Sequence, residues 1–329
     1  MTRIAILGCG SIARTMSATL RAMRDGGEAV CLYAAASRNL ETAKAFAEKE
    51  GYEVAYGSYE EMVRDPKVDL VYVASPHSHH AQHMLLCLEH GKAVLCEKSF
   101  TANAAQAREV LALAKEKHIL VAEAIWTRYM PSRKIIEEVV ASGAIGTPQV
   151  LKSSLHYPIA HVPRIMDPAL AGGALLDVGV YPLNFCSMVF GNDFERMETS
   201  VCLTDTGVDK HESFTFHYPD GRMAQISAGI NSRCDRHCLV SGTEGYLTVD
   251  NVNNPKRITL YRQEDDFTNG EDIPVPEQIS GYEYQVRACM KALETGAIEC
   301  PEMPHSETIR IMEIMDSLRE RWGVRYPFE

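Results

Sequence analysis

Short apolar runs alternate with amphipathic stretches over the first 125 or so residues, the rhythm of a parallel sheet joined by crossover helices. The apolar runs predict strands at 3–7, 29–36, 70–75, 93–97 and 120–124. Polar positions between them mark helix ends. Ser58 with Glu61, and Asn103 with Gln106, have capping-box spacing, while Gly51 and Gly91 stand where helices should stop. From about residue 149 the rhythm changes, and strand patterns follow one another at 150–156, 197–203, 212–218, 223–230, 238–241, 246–250 and 257–261. Short turns such as Pro219-Asp220-Gly221 join them, which predicts an open, mainly antiparallel sheet. Helical patterns at about 173–190, 282–295 and 306–322 accompany it. The expected architecture is therefore α/β. A doubly wound Rossmann domain over 1–125 precedes an α+β domain over 126–329.

Composition supports a packed chain and narrows the partners. Hydrophobic residues at 46% and charged residues at 23% exclude a disordered or collagenous protein. The 33 Lys and Arg against 44 Asp and Glu leave a net charge of −11, and the basic residues are scattered, so nucleic acid is not expected as a partner. No apolar run is read as approaching the roughly 18–20 residues that span a bilayer, so no membrane partner is expected. The chain starts directly on a strand pattern at Arg3. Five of its ten cysteines (Cys31, Cys87, Cys96, Cys186 and Cys202) sit in apolar runs as small hydrophobes. A reducing, cytoplasmic location is the expectation.

The first chemistry lies in Gly8-Cys9-Gly10-Ser11-Ile12-Ala13, directly after the first strand and at the start of a helix. In that context Gly8 permits the tight turn, Gly10 lets the backbone approach a pyrophosphate, and Ala13 allows close helix–strand packing. An NAD site usually carries an acid at the end of the second strand. Here Ser37 and Arg38 stand there instead, a hydroxyl and a guanidinium suited to a 2′-phosphate. NADP is thus expected over NAD.

Cys96-Glu97-Lys98 follows the fourth predicted strand, with Ser75-Pro76-His77-Ser78-His79-His80 before it and Glu123-Ala124-Ile125-Trp126-Thr127-Arg128-Tyr129 after it. Together with Gly172-Gly173-Ala174-Leu175-Leu176-Asp177-Val178-Gly179-Val180-Tyr181-Pro182, these motifs resemble the glucose-fructose oxidoreductase and inositol dehydrogenase family. Within it the chain is most similar to the branch of dimeric dihydrodiol dehydrogenases and NADP-linked D-xylose 1-dehydrogenases. The resemblance implies a nicotinamide ring lying between the two domains and a homodimer through the C-terminal sheet. It implies cofactor contacts at Ser75, Pro76, His80, Glu97, Lys98, Trp126 and Arg128, in addition to Gly8, Gly10, Ser11, Ile12, Ser37 and Arg38. It also implies catalytic roles for Lys98, Tyr181 and Asp177, all three of which, with His77, also face substrate.

Alcohol oxidation needs a group that takes the hydroxyl proton while nicotinamide takes hydride. Asp177 and Tyr181 are four apart on one predicted helix and share a face, and a tyrosine near a lysine cation has its phenolate favoured. Whether Tyr181 or Lys98 accepts the proton stays open. The loop His156-Tyr157-Pro158 to Arg164 could cap a polar pocket, with Tyr157 facing substrate and Arg164 packing. His77, His79, His80 and His83 crowd within seven residues, and His79 and His83 share a helical face, but no HExxH glutamate accompanies them. Cys234, His237 and Cys238 read as strand residues, and no metal is expected. The resulting expectation is an NADP-dependent oxidoreductase acting on a small polyol, sugar or dihydrodiol. The alternatives are a reductase of a dicarbonyl or keto sugar, and a nucleotide-sensing protein without catalysis. The pair Lys98 and Tyr181 argues against the sensor.

Overall fold

Buried apolar runs with a helix after each produce parallel pairing, and the first part of the chain follows that rule. The computed structural model describes residues 1–263 and 267–329. Strands β1 (Thr2–Leu7), β2 (Val30–Ala36), β3 (Val54–Tyr56), β4 (Leu70–Val73), β5 (Ala93–Glu97) and β6 (Val121–Ala124) form one parallel sheet in the order β3-β2-β1-β4-β5-β6. The order reverses between β1 and β4, the switch point at which open α/β sheets bind ligands. Helices α1 (Ser11–Asp25), α2 (Leu40–Glu50), α3 (Tyr59–Arg64), α4 (His80–Glu89) and α5 (Ala104–Lys117) connect the strands. The expected caps are present. Ser58 Oγ accepts from the Glu61 N–H at 3.1 Å, and Asn103 Oδ1 from the Gln106 N–H at 3.0 Å. Gly51 ends α2 at φ +84°, in the left-handed region. The three-residue edge strand β3 carries no apolar run long enough to announce it, and only the structure reveals it.

The second unit contains α6 (Pro131–Ala141), β7 (Pro148–His156), α7 (Val180–Phe190) and strands β8 (Arg196–Leu203), β9 (Asp209–His217), β10 (Met223–Gly229), β11 (Cys238–Gly242), β12 (Gly245–Val249), β13 (Ile258–Arg262) and β14 (Glu271–Ile273). Its eight strands lie in the order β14-β13-β12-β11-β7-β10-β9-β8, antiparallel throughout except for the parallel pair β7 and β10. Strand alternation sorts the two faces. Leu151 and Leu155, Phe214 and Phe216, Ala224, Ile226 and Ala228, Val240 and Leu247 are buried on the face that α7 packs against. Lys152, Ser154, His156, Ser213, Thr215, Gln225 and Ser227 alternate with them and point the other way.

Three expectations need correction. The chain divides into residues 1–129 with 278–312 and residues 130–277 with 313–329, so the C-terminal part does not belong to one domain running from 126 to 329. The amphipathic pattern of α8 (Glu283–Thr295) says that one face is buried but not against what. In the structure Tyr282 stacks on Trp126 at 4.4 Å and Arg287 pairs with Glu28 at 2.7 Å, both within the first unit. The division falls within α9 (His305–Trp322). Pro168–Phe190 is, against expectation, long and apolar enough to cross a bilayer, but 89% of its most apolar 18-residue window is buried inside the protein as a core segment. All ten cysteines are free. Cys87, Cys96 and Cys186 are buried as expected, whereas Cys202, on the edge strand β8, is exposed.

Glu283 anchors the return of the chain to the first unit. Fully buried, it accepts from the N–H groups of Ile279 (2.8 Å), Ser280 (3.1 Å) and Gly281 (2.7 Å). Hydrogen bonds to a charged acceptor contribute about 1.5–3 kcal/mol each and are not additive, so Glu283→Ala is expected to cost on the order of 3 kcal/mol. Urea denaturation followed by circular dichroism measures this, and an unchanged midpoint contradicts it.

Candidate active site

The turn after β1 is shaped for close backbone approach. Gly8 has φ +98°, a Cβ on it would stand 3.1 Å from the Ala74 carbonyl oxygen, and its N–H donates to the Ala36 carbonyl at 3.0 Å. A Cβ on Gly10 would meet nothing within 4 Å, so this position faces open space. Gly10 is also the N-cap of α1, where no side chain caps the helix and no acid occupies the first turn, which begins with Ser11 and Ile12. Unsatisfied N–H groups with the positive end of the helix dipole make this an anion site, and it fits the pyrophosphate of a dinucleotide. Past the end of β2, Ser37 is half-buried and Arg38 is exposed, with no ion pair among the described residues. The Arg38 charge reaches Tyr59 and His83, where it opposes protonation of the imidazole.

Beyond β4 the chain passes through Ser75 and Pro76 into a short 3-10 turn at His77–His79 and then α4. His80 is fully buried, with Nε2 2.8 Å from the Ser75 carbonyl and Nδ1 2.9 Å from that of Ser99. Burial lowers its pKa to about 4. Both ring nitrogens face main-chain carbonyls, one in the loop after β4 and one in the loop after β5, and the neutral ring donates its single N–H to one of them at a time. His77 lies edge-on to His80 at 5.6 Å. His79 and His83 stack at 5.8 Å on a shared face, as their spacing predicts, and His83 Nδ1 lies 2.8 Å from Ser75 Oγ. Among the described residues no three His, Cys, Asp or Glu side chains group into a metal site.

Lys98 emerges half-buried from the C-terminal end of β5. The Glu97 carboxylate before it accepts from Tyr72 Oη and from the Lys98 N–H, partners that orient the loop rather than a ligand. Arg128, 4% exposed, places Nη2 2.5 Å from Glu307 Oε1, so its charge is matched inside the first unit and does not stand open to cofactor phosphates. Trp126 lies nearly parallel to Tyr282, at 8°.

Sequence reasoning did not single out Glu123, an acid at the end of the buried strand β6. Its Oε2 accepts from Thr308 Oγ1 at 3.0 Å. Burial raises its pKa to about 7, while Thr308 and Arg128 pull it back. An acid in the otherwise apolar Val121-Ala122-Glu123-Ala124 was the available signal.

In the second unit, the expected continuous helix begins instead as a π-helical turn, Leu175–Gly179, which runs into α7. Asp177 on the turn and Tyr181 in the first turn of α7 are 7% and 8% exposed. The Gly-Gly pair is required locally, because a Cβ on Gly172 would strike the Ile165 carbonyl, and one on Gly173, at φ +116°, would strike Asp209. Arg164 does not merely pack. Its Nη1 and Nη2 lie 3.0 and 3.1 Å from Asp177 Oδ1. Tyr157 Oη accepts from Asn253 Nδ2 at 3.2 Å, and the Arg236 guanidinium lies 6.0 Å from its ring centre.

Glu123 makes stability depend on pH. Its folded pKa of about 7 exceeds the unfolded value, so the folded state holds an extra proton between the two, and stability falls as pH rises through that window. The wild-type protein is expected to lose on the order of 2–3 kcal/mol through this group between about pH 5 and about pH 8, a loss that Glu123→Gln removes. Urea denaturation at the two pH values checks it, and parallel pH dependence in the two proteins contradicts it.

Residues 2–124 match the oxidoreductase family with an NAD-binding Rossmann fold, and residues 134–248 match the GFO/IDH/MocA C-terminal domain. The trans-1,2-dihydrobenzene-1,2-diol dehydrogenases of Mus musculus and Homo sapiens are each 34% identical to the chain, over 336 and 332 residues, covering 99% of it and 98% of their own length. A 3-ketoreductase from Actinomadura kijaniata, solved in complex with NADP and TDP-benzene, is 26% identical and aligns with a TM-score of 0.85 over 97% of both chains. A levoglucosan dehydrogenase in complex with NADH shares the fold, with a TM-score of 0.87 at 18% identity over 98% of this chain and 97% of its own. With the Gly8 turn built as that fold requires and the similarity running nearly end to end, the chain belongs to the GFO/IDH/MocA family of oxidoreductases.

Proposed function

We propose that the chain is an NADP-dependent dehydrogenase that transfers hydride between a hydroxylated substrate, a trans-dihydrodiol or the C1 hydroxyl of an aldose such as D-xylose, and nicotinamide. The observation that carries this reading is the uncapped, acid-free N-terminus of α1 combined with the exposed Arg38 after β2. Gly8, Gly10, Ser11 and Ile12 would hold the pyrophosphate by main-chain N–H groups, and Ser37 and Arg38 the 2′-phosphate. The bound nicotinamide supplies the hydride acceptor. The protein must then take the hydroxyl proton, at Tyr181 Oη or Lys98 Nζ. Asp177, with Oδ1 pinned by Arg164, is an oriented acceptor for a substrate hydroxyl, and His77 adds a second polar contact. A site built to bond hydroxyls discriminates against analogues that lack them. The dihydrodiol dehydrogenases at 34% identity support this choice of substrate.

The similarity to a 3-ketoreductase favours a second reading, reduction of a dicarbonyl or keto sugar, which uses the same groups with the proton moving from protein to product. For assembly, our reading is a homodimer through the polar face of the eight-stranded sheet, the side carrying Lys152, Ser154, Gln225 and Ser227. The ten free cysteines support a cytoplasmic location.

Loss of a charge-assisted phosphate contact predicts that Arg38→Ala weakens NADP binding roughly ten- to a hundredfold, with little change for NAD. Fluorescence titration of the two reduced cofactors measures this, and equal loss for both sinks the 2′-phosphate assignment. Lys98→Met and Tyr181→Phe should each lower kcat by on the order of 10²–10⁴. Full turnover in both variants rules out their proton-transfer role. A monomeric mass by light scattering contradicts the dimer.

A further inference from the structure

Asp209 and Glu212 begin β9 and are almost wholly buried, at 0% and 3% exposure, beneath the segment that carries Asp177 and Tyr181. Asp209 Oδ2 accepts from the Leu175 N–H at 2.5 Å, and the Ala174 N–H next to it also favours the Asp209 anion. A side chain on Gly173 would strike its other oxygen. Glu212 Oε1 lies 2.7 Å from where a Cβ on Gly179 would stand. The two acids therefore sit under the entry and the exit of the π-helical turn 175–179. Asp209 Oδ1 and both Glu212 oxygens receive no N–H or hydroxyl donor from the described protein, yet the two carboxyl groups reach each other.

Among the described residues no cation pairs with either carboxyl group. On the flanking strands Glu212 registers with Val201 of β8 and Ala228 of β10. The titratable group that faces Asp209 from the C-terminal segment is Tyr326, whose Oη donates to the Gly172 carbonyl at 3.1 Å. Arg319 lies 4.5 Å over the Tyr326 ring, but its guanidinium is already paired with Asp316 and Glu329. Two bare carboxylates touching in such a site repel each other and both lose hydration. One proton resolves every contact. Glu212 donates it to Asp209 Oδ1, and the Asp209 anion keeps the N–H groups at the start of the turn.

We propose that Asp209 and Glu212 share a single proton and act as a positioning pair that fixes the π-helical turn, and through it Asp177 and Tyr181, for hydride transfer. The proposal rests on the reading of Asp177 and Tyr181 given under the proposed function. Burial and the neighbouring Asp209 hold the Glu212 carboxyl well above its ordinary range, whereas burial raises Asp209 and the main-chain N–H groups pull it back. At high pH the shared proton is lost, like charges face each other under the turn, and the turn yields.

The test is kcat from about pH 6 to about pH 10 for wild type, Glu212→Ala and Glu212→Gln, with infrared titration of the protonated-carboxyl band. Displacing the turn predicts a roughly tenfold lower kcat for Glu212→Ala at neutral pH, restored by Glu212→Gln, whose amide still donates to Asp209. Glu212→Gln should also lack the alkaline fall in kcat of the wild type. The infrared spectra are taken in the Glu123→Gln background, which removes the other buried acid that titrates near neutrality. One protonated band is expected there, absent once Glu212→Gln is added, with the same midpoint as the alkaline fall. Absence of the band, or a Glu212→Gln profile that overlays the wild type, overturns the proposal. The infrared titration needs no turnover, so it tests the shared proton even where Lys98→Met and Tyr181→Phe overturn the catalytic reading.

Discussion

A parallel sheet sends every strand out at the same edge, and the chemistry of the first unit follows from that constraint. Gly8 follows β1, Ser75 follows β4, Lys98 follows β5, and Glu123 lies near the end of β6. Residues separated by up to 115 positions in sequence thus gather at one rim of the sheet whose strand order reverses between β1 and β4. The N-terminus of α1 adds an anion site there because no side chain caps it. His80 packs between two of these loops, its ring nitrogens facing the carbonyls of Ser75 and Ser99, with one N–H to donate.

Buried ionisable groups hold the machinery in place in both units, at a cost that sequence-level hydrophobicity would not suggest. Glu97, Glu123 and Arg128 in the first unit and Asp177, Asp209 and Glu212 in the second are all below about a tenth exposed. Each is matched in a different way. Arg128 is paired with Glu307, Asp177 with Arg164, and Glu123 with the hydroxyl of Thr308. A buried charge that loses its partner costs several kcal/mol, so these contacts restrict the loops and turns to few arrangements. That restriction favours precise placement of reacting groups over maximal stability.

What could be read from the chain alone was whatever depends on near neighbours. The roles of Gly8 and Gly10, the caps at Ser58 and Asn103, and the face shared by His79 and His83 are set within a few residues, and the structure has each. The strands of both sheets were visible as alternation or apolar runs, apart from the three-residue strands β3 and β14. Long-range pairing was not visible. Arg164 meets Asp177 across two 3-10 turns, α8 leaves the sheet domain for the first unit, and β7 pairs in parallel with β10. Motif position also says where His80 and Arg128 stand but not that they face the carbonyls of Ser75 and Ser99 and the carboxylate of Glu307. Pro168–Phe190 shows the same limit from the other side, since apolarity alone does not tell a core segment from a membrane span.

On the function proposed above, the first unit's anion site and the Lys98 and Tyr181 side chains serve hydride transfer with NADP. The most direct measurement is the initial rate of nicotinamide reduction with NADP or NAD against a trans-dihydrodiol of benzene and D-xylose, and of the reverse reaction with a dicarbonyl. Turnover with at least one substrate, faster with NADP than with NAD, is the predicted result. Tight NADP binding with no turnover in either direction contradicts it and points to a protein that senses the nucleotide without using it.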